Sequence, residues 1–218
     1  MEVRAKRRIS AGEEISIQYI LETQPTRIRR QLIARKWFFL CSCSRCTDRT
    51  EAGTYLDSLK CRSGNCPGRI LPVSPLQTDS PFSCDSCQAE TGASEVQEIV
   101  HRAETEACKR VDREEAIRHM ESVIEKYQDT LHQSHYVMIN LKMKLGSLYG
   151  NLPPSSVLGK MSPGELERKL DYCRQGLDLI NILDEGNIGE NTWRMRLEKE
   201  MMRTKFILLN CVESNKIY

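Results

Sequence analysis

Seven of the ten cysteines fall within 47 consecutive residues, at spacings that are typical of zinc ligands. They form one group of three, Cys41, Cys43 and Cys46, and one group of four, Cys61, Cys66, Cys84 and Cys87. A structural zinc ion usually takes four ligands in a tetrahedron, and all four can be thiolates. The group of four therefore predicts a complete structural zinc site, whereas the group of three is one ligand short.

The fourth ligand for the group of three has several possible sources. His101, Cys108 or a thiol of the group of four would be available within the chain, but none has a supporting spacing. A ligand from an N-terminal portion outside this sequence explains the shortage better, so we expect the chain to be the C-terminal part of a longer protein. Cys108, Cys173 and Cys211 fall in helical patterns and are interpreted as small core residues.

Composition and charge restrict the class of protein. The 218 residues are 39% hydrophobic and 28% charged, and their net charge of +2 is too small for a protein that coats nucleic acid. Residues 1–36 carry nine basic side chains against four acidic ones, which leaves nucleic-acid binding as a weak alternative. No secretory signal or membrane-spanning run is present. We therefore expect a reducing compartment, the cytoplasm or nucleus or both, where such cysteines bind zinc rather than form disulfides.

Three segments must position these ligands. In residues 1–36, the alternation of Ile15, Ile17 and Tyr19 predicts a strand, and the spacing from Pro25 to Lys36 predicts a helix. A single strand is not stable alone, so this segment needs partners that the sequence does not contain. On pattern alone, Tyr19 is a core aromatic.

The other two segments differ sharply in composition. Residues 37–94 have many prolines and few large apolar residues, so we expect bound zinc rather than packing to hold them together. Residues 95–218 carry helical periodicity and predict an antiparallel array of four to six helices. Ser162, Pro163 and Glu165 predict a capping box at the start of one helix. The predicted fold class is mainly α, with a short β segment and a zinc-stabilised cysteine-rich segment.

Two stretches together resemble a known junction. The first runs from Ile9 to Tyr19, and the second is Trp37-Phe-Phe39-Leu-Cys41-Ser-Cys43-Ser-Arg-Cys46. They resemble the end of a SET domain and its post-SET zinc motif in the SET and MYND domain (SMYD) protein-lysine methyltransferases. The group of four cysteines, Leu131-His132-x-x-His135-Tyr136 and Leu145-Gly-Ser-Leu-Tyr149 are similar to the insect-specific SMYD-A branch.

The resemblance implies a function for several residues. The family transfers a methyl group from S-adenosylmethionine to a lysine of a histone or another protein. Tyr19 matches the catalytic SET tyrosine, which also contributes to the cofactor site, and Phe39 matches the aromatic that stacks on the cofactor's adenine. Trp37 stands where the family has an aromatic in the lysine channel. The resemblance also implies that residues 1–36 end a SET domain, that residues 37–94 are the post-SET and second zinc segment, and that residues 95–218 form a TPR-like helical domain that binds protein partners.

The chain also departs from the family pattern. It contains neither the glycine-rich cofactor strand, nor the Asn-His-Ser-Cys segment that supplies the fourth post-SET ligand, nor a MYND finger. We therefore expect this sequence to be inactive by itself as a methyltransferase. The alternative hypothesis is a non-catalytic zinc and helical interaction module, such as a regulator of transcription.

Overall fold

The computed structural model describes residue 5 and residues 8–151, 161–184 and 192–214, with side chains as far as residue 209. The architecture is mainly helical, as the sequence predicted. The helices are α1 (Thr26–Trp37), α2 (Ser44–Thr47), α3 (Ala93–Ala107), α4 (Ala116–Tyr127), α5 (Tyr136–Leu148), α6 (Pro163–Leu183) and α7 (Thr192–Ser214). The strands are β1 (Leu59–Lys60), β2 (Arg69–Pro72), β3 (Phe82–Cys84) and β4 (Glu90–Thr91).

The chain divides into two compact units. The cysteine-rich unit comprises Met1–Ile99, Thr130–Tyr136 and Leu179–Glu190, and the helical unit comprises Val100–Asp129, Val137–Asp178 and Asn191–Tyr218. The predicted domain boundaries after residues 36 and 94 remain a prediction. Within the described residues, no helix is both long and apolar enough to cross a membrane.

A small antiparallel sheet organises the cysteine-rich unit. Its strands follow the order β1-β2-β3-β4, and Ile70 of β2 pairs with Leu59 of β1 and with Cys84 of β3. Five apolar side chains are buried on or beside this sheet: Leu56, Leu59, Ile70, Leu71 and Phe82. The expectation that this segment has no apolar core was therefore wrong, because residues that are scattered along the chain come together only when the strands pair.

Residues 130–136 extend the cysteine-rich unit from a distant part of the chain. Lys60 donates its backbone amide to the Thr130 carbonyl at 2.9 Å, and Tyr136 donates its amide to the Leu56 carbonyl at 2.8 Å. Leu131, which is fully buried, pairs with Leu59 as an isolated bridge. The Leu131–Tyr136 motif therefore has a structural purpose, since it attaches a second chain segment to the edge of the sheet.

The strand that was predicted around Ile15, Ile17 and Tyr19 is absent from the structure. Residues 13–19 form no strand, and Ile15 and Ile17 are 78% and 68% exposed. The alternation is real, but a strand requires a neighbouring strand for its hydrogen bonds. None of the four strands in the described residues pairs with this segment. The predicted helix at Pro25 to Lys36 is confirmed as α1.

The helical unit packs its helices closely through small residues. A Cβ atom on Gly176 of α6 would lie 2.7 Å from Leu197 and 2.8 Å from Met143, so a larger residue would force these side chains of α7 and α5 to shift. The predicted capping box is confirmed at the start of α6. The Ser162 amide donates to the Glu165 carboxylate at 2.8 Å, and the Glu165 amide donates to the Ser162 hydroxyl at 3.4 Å.

Of the three cysteines outside both clusters that were predicted to lie in the core, the structure confirms one. Cys173 is fully buried in α6. Cys108 is exposed, so its interpretation as a core residue was wrong. It lies one residue beyond the end of α3, where the helical pattern no longer continues. The Cys211 side chain lies outside the described residues.

Candidate functional site

The four-cysteine group forms one compact cluster at an end of the small sheet. The sulfur atoms of Cys61, Cys66, Cys84 and Cys87 all lie within 4.8 Å of one another. The Cys61 and Cys87 sulfurs are 3.6 Å apart, and those of Cys66 and Cys84 are 3.7 Å apart. A zinc ion about 2.3 Å from each sulfur requires tetrahedral sulfur–sulfur distances of about 3.8 Å. The cluster therefore fits a four-thiolate zinc ion.

Backbone amides donate hydrogen bonds to sulfurs of the four-cysteine cluster and favour the thiolate form of Cys84. The amides of Ser63 and Gly68 each donate to a cysteine sulfur at 3.4 Å, and the Ser86 amide donates to Cys84 at 3.4 Å. Burial opposes ionisation of Cys84, but the amides of Cys87 and Ser86 lower its pKa to about 7. Gly68 is required here, because a Cβ at this position would lie 2.4 Å from the Cys84 sulfur.

The three-cysteine group forms a second cluster around α2. The sulfurs of Cys41, Cys43 and Cys46 lie within 4.8 Å of one another, and Cys46 is buried. The described part of the chain brings no fourth cysteine, histidine or carboxylate into this group. These residues therefore fit a zinc ion as three of its four ligands.

A buried ion pair attaches this triad to α1, and sequence reasoning missed it. Arg29 donates to the Cys46 sulfur at 3.2 Å and to the Glu51 carboxylate at 3.3 Å. Glu51 also accepts the Thr26 amide at 2.9 Å and lies 3.4 Å from Arg45. The side chains of Arg29 and Glu51 are only 8% and 5% exposed. The sequence marked Arg29 as one of several arginines on a helix, and nothing local distinguished it as buried.

The three predicted aromatic site residues come together next to the triad. The Tyr19 ring meets Trp37 edge-on at a centroid distance of 5.1 Å and Phe39 at 5.2 Å. Phe38 ends α1 in the left-handed conformation, with φ at 61°, and thereby separates the two partners of Tyr19. Tyr19 and Phe39 are 39% and 40% exposed. Tyr19 is therefore not buried in a core here.

Comparison with known proteins connects these clusters to one group of proteins. The chain is 37% identical over 84 residues to "SET domain-containing protein SmydA-8, isoform B" of Drosophila melanogaster. It is 28% identical over 157 residues to "Protein SET DOMAIN GROUP 41" and 27% identical over 108 residues to "Histone-lysine N-methyltransferase ASHR1", both of Arabidopsis thaliana. The chain is a homologue of SET-domain proteins. The resemblance that its cysteine and aromatic motifs indicated is confirmed.

The matches cover only parts of the proteins. They span 38%, 67% and 47% of this chain and 19%, 27% and 22% of the SmydA-8, GROUP 41 and ASHR1 sequences, respectively. No protein-family model matches the chain. One of these relatives is by its name a histone-lysine N-methyltransferase, and the clustered cysteines of this chain could hold zinc.

Proposed function

We propose that this chain is the C-terminal part of a SMYD-type protein-lysine methyltransferase that depends on S-adenosylmethionine. The observation that carries the proposal is the contact of Tyr19 with Trp37 and Phe39, directly before the cysteine triad, in a homologue of SET-domain proteins. An extended segment, the end of a helix and a zinc loop bring these residues together. In this proposal residues 1–36 end the SET domain, and residues 37–94 contain the post-SET and second zinc segments.

Each aromatic residue has a distinct role in the proposal. The Tyr19 hydroxyl orients the lysine amine, which is catalysis mainly through positioning. Trp37 lines the channel for the lysine side chain, and Phe39 offers its exposed face to the adenine. S-adenosylmethionine supplies the methyl group when it is bound. The chain provides these aromatic faces but not the family's glycine-rich cofactor strand, so it fits the cofactor only as one side of its site.

The two cysteine groups have different mechanical roles in the proposal. The four-cysteine site is a self-contained support for the small sheet. The triad holds the loop that follows Phe39, and a cysteine from the longer protein completes its zinc coordination. Arg29 holds the triad through its hydrogen bond to the Cys46 sulfur. The longer protein acts on protein lysines in the cytoplasm, the nucleus or both, and its helical unit binds protein partners.

Methyl-transfer assays with two lengths of the protein test this function. We expect the 218-residue chain, given S-adenosylmethionine and histones, to transfer no methyl groups, and a longer protein from the same gene to be active. In that longer protein, Tyr19→Phe should lower turnover by about a hundredfold, because positioning of the amine is lost. Tyr172→Phe, on a half-buried tyrosine of α6, is the matched control and should leave turnover unchanged.

Three results would contradict the proposal in different ways. Turnover by the 218-residue chain would show that it is not an incomplete enzyme. Unchanged turnover in Tyr19→Phe would show that the Tyr19 hydroxyl is not needed to orient the lysine amine. If the longer protein also transfers no methyl groups, the zinc and helical interaction module becomes the better function.

A further inference from the structure

The last helix presents a continuous apolar stripe to solvent. Met195, Met202, Phe206 and Leu209 of α7 are each between 61% and 67% exposed. Their spacings of seven, four and three residues place all of them on one side of the helix. Isolated exposed apolar residues are ordinary, but a stripe of four large ones over four turns marks an interaction surface.

The stripe follows the heptad rule for helix pairing. Met195, Met202 and Leu209 occupy one apolar position of successive heptads, and Lys199 and Phe206 occupy the other. The opposite side of α7 is already used, since Leu197 and Thr204 are fully buried. One side of α7 therefore packs within the helical unit, and the other side carries the pattern of a two-helix seam. A single lysine in such a seam is a known device that restricts register and partner.

The charges beside the stripe indicate which partner fits. Glu198 and Lys205 flank the seam on one side, and neither has a hydrogen bond or ion pair among the residues that the structure describes. Arg196 and Arg203 flank it on the other side. Arg203 is already held by Glu200 of the same helix at 3.0 Å. One flank thus carries an unpaired charge of each sign, seven residues apart.

We propose that α7 pairs with α7 of a second copy of this chain in an antiparallel, two-fold symmetric dimer. Two-fold symmetry applied between residues 200 and 201 brings Glu198 beside Lys205 of the other copy, on the same flank of the seam and two residues out of level, twice. It also places Met195 opposite Phe206, a sulfur–aromatic contact, and lays Lys199 along Met202. The proposal concerns assembly and does not depend on methyl transfer.

The parallel arrangement fits the same stripe less well. It would place Lys199 directly against Lys199 in the seam, and Glu198 against Arg203, whose charge is already partly neutralised within its own chain. In the antiparallel arrangement, Arg196 faces Arg203, and the contact of Arg203 with Glu200 reduces their repulsion. The antiparallel dimer therefore uses the two unpaired charges and avoids the most unfavourable contact.

The size of the stripe determines the strength of the dimer. Side chains of this size that are two-thirds exposed contribute on the order of 100–150 Å² each, so the four apolar residues supply roughly 400–600 Å² per copy. Standard interfaces bury about 800 Å² per partner. The stripe falls somewhat below that area, so we expect a reversible dimer with a dissociation constant in the micromolar range.

Sedimentation equilibrium of the 218-residue chain, with zinc and a reductant present, tests the assignment. We expect a concentration-dependent monomer–dimer equilibrium. Glu198→Lys and Lys205→Glu should each raise the dissociation constant by about three- to tenfold, because two symmetric attractions become repulsions. The double variant Glu198→Lys/Lys205→Glu should restore the original value, since the charges are exchanged between facing positions.

A second pair of variants tests the apolar stripe itself. Met202→Asp/Phe206→Asp should be monomeric, whereas Val73→Asp, at a 49% exposed position in the other unit, should dimerise normally. Circular dichroism shows whether each variant keeps its helices. A wild-type chain that stays monomeric across the micromolar range overturns the proposal. Single charge variants that weaken the dimer without restoration in the double variant overturn the antiparallel arrangement.

Discussion

Arg29 shows how one buried side chain connects a helix to the cysteine triad. Its guanidinium contacts Cys46 and Glu51 and also donates to the Thr26 hydroxyl at 3.0 Å. Charged groups removed from water need partners, and here each partner belongs to a different local element. The arginine therefore holds the start of α1, the triad around α2 and the turn at Glu51 in one arrangement.

Replacement of Arg29 by methionine should destabilise the cysteine-rich unit. The change leaves the buried Glu51 carboxylate with Arg45 as its remaining basic partner, and breaking a buried ion pair costs about 3 kcal/mol or more. We expect a loss of that size in the free energy of unfolding measured with urea.

Arg35→Met provides the matched control, because Arg35 lies on the exposed side of the same helix. Its effect on the unfolding free energy should be within about 0.5 kcal/mol. Equal effects of the two replacements would show that the loss follows from helix α1 in general and not from the contacts of Arg29.

At the scale of elements, the sequence predicts what local chemistry determines. The capping residues Ser162 and Glu165 identify the start of α6 because both act within one turn. The four short strands had no detectable pattern, since two to four residues cannot display a period. At Ile15 the pattern predicted a strand that the structure lacks, because strand formation depends on a partner segment. The cysteine spacings predicted both cysteine clusters, whereas the burial of Arg29 depends on segments remote in sequence.

The capping box at α6 should contribute measurably to the stability of the helical unit. Ser162→Ala removes an N-cap side chain, which costs about 1 kcal/mol. We expect a corresponding decrease in the unfolding free energy, measured by circular dichroism in urea at neutral pH. Ser122→Ala, at an exposed position within α4, should have no destabilising effect, because alanine is the better helix former there.

The same cap predicts a pH dependence of known sign. Hydrogen bonds from the Ser162 amide and hydroxyl hold the pKa of Glu165 below its usual value. A lowered carboxyl pKa stabilises the folded state above the unfolded-state pKa, and this contribution is lost as the pH falls through the folded-state value. The difference between wild type and Ser162→Ala should therefore shrink in acid. A difference that grows as the pH falls would show that Glu165 does not act through this cap.

The whole molecule combines two kinds of stability. The helical unit is held by close packing and by the buried ion pair of Lys169 and Glu200. The lysine Nζ lies 2.6 Å from the glutamate Oε2. The cysteine-rich unit has a small apolar core and two thiol clusters. Zinc binding contributes about 10–16 kcal/mol in small zinc modules, which is comparable to the stability of a whole domain. Removal of metal should therefore affect the two units very differently.

The zinc content of the whole chain distinguishes the complete four-cysteine site from the incomplete three-cysteine site. Four thiolates around one point hold zinc tightly, whereas three leave a position to water and lose the ion more readily to a chelator. After mild chelation and desalting, we expect elemental analysis to find one zinc ion per chain. Cys66→Ser should remove this ion, because it breaks the four-cysteine site. Cys108→Ser, at an exposed cysteine outside both clusters, should retain it.

The triad makes this measurement decisive. If the fourth ligand of the triad belongs to a longer protein, Cys46→Ser should also retain one tightly bound ion. Prolonged chelation of the wild-type chain should then reduce the strand signal in circular dichroism, while most of the helical signal persists. Two tightly bound ions in the wild-type chain, one of them lost in Cys46→Ser, would place the fourth ligand within these 218 residues. The triad would then be a closed structural site that needs no ligand from a longer protein.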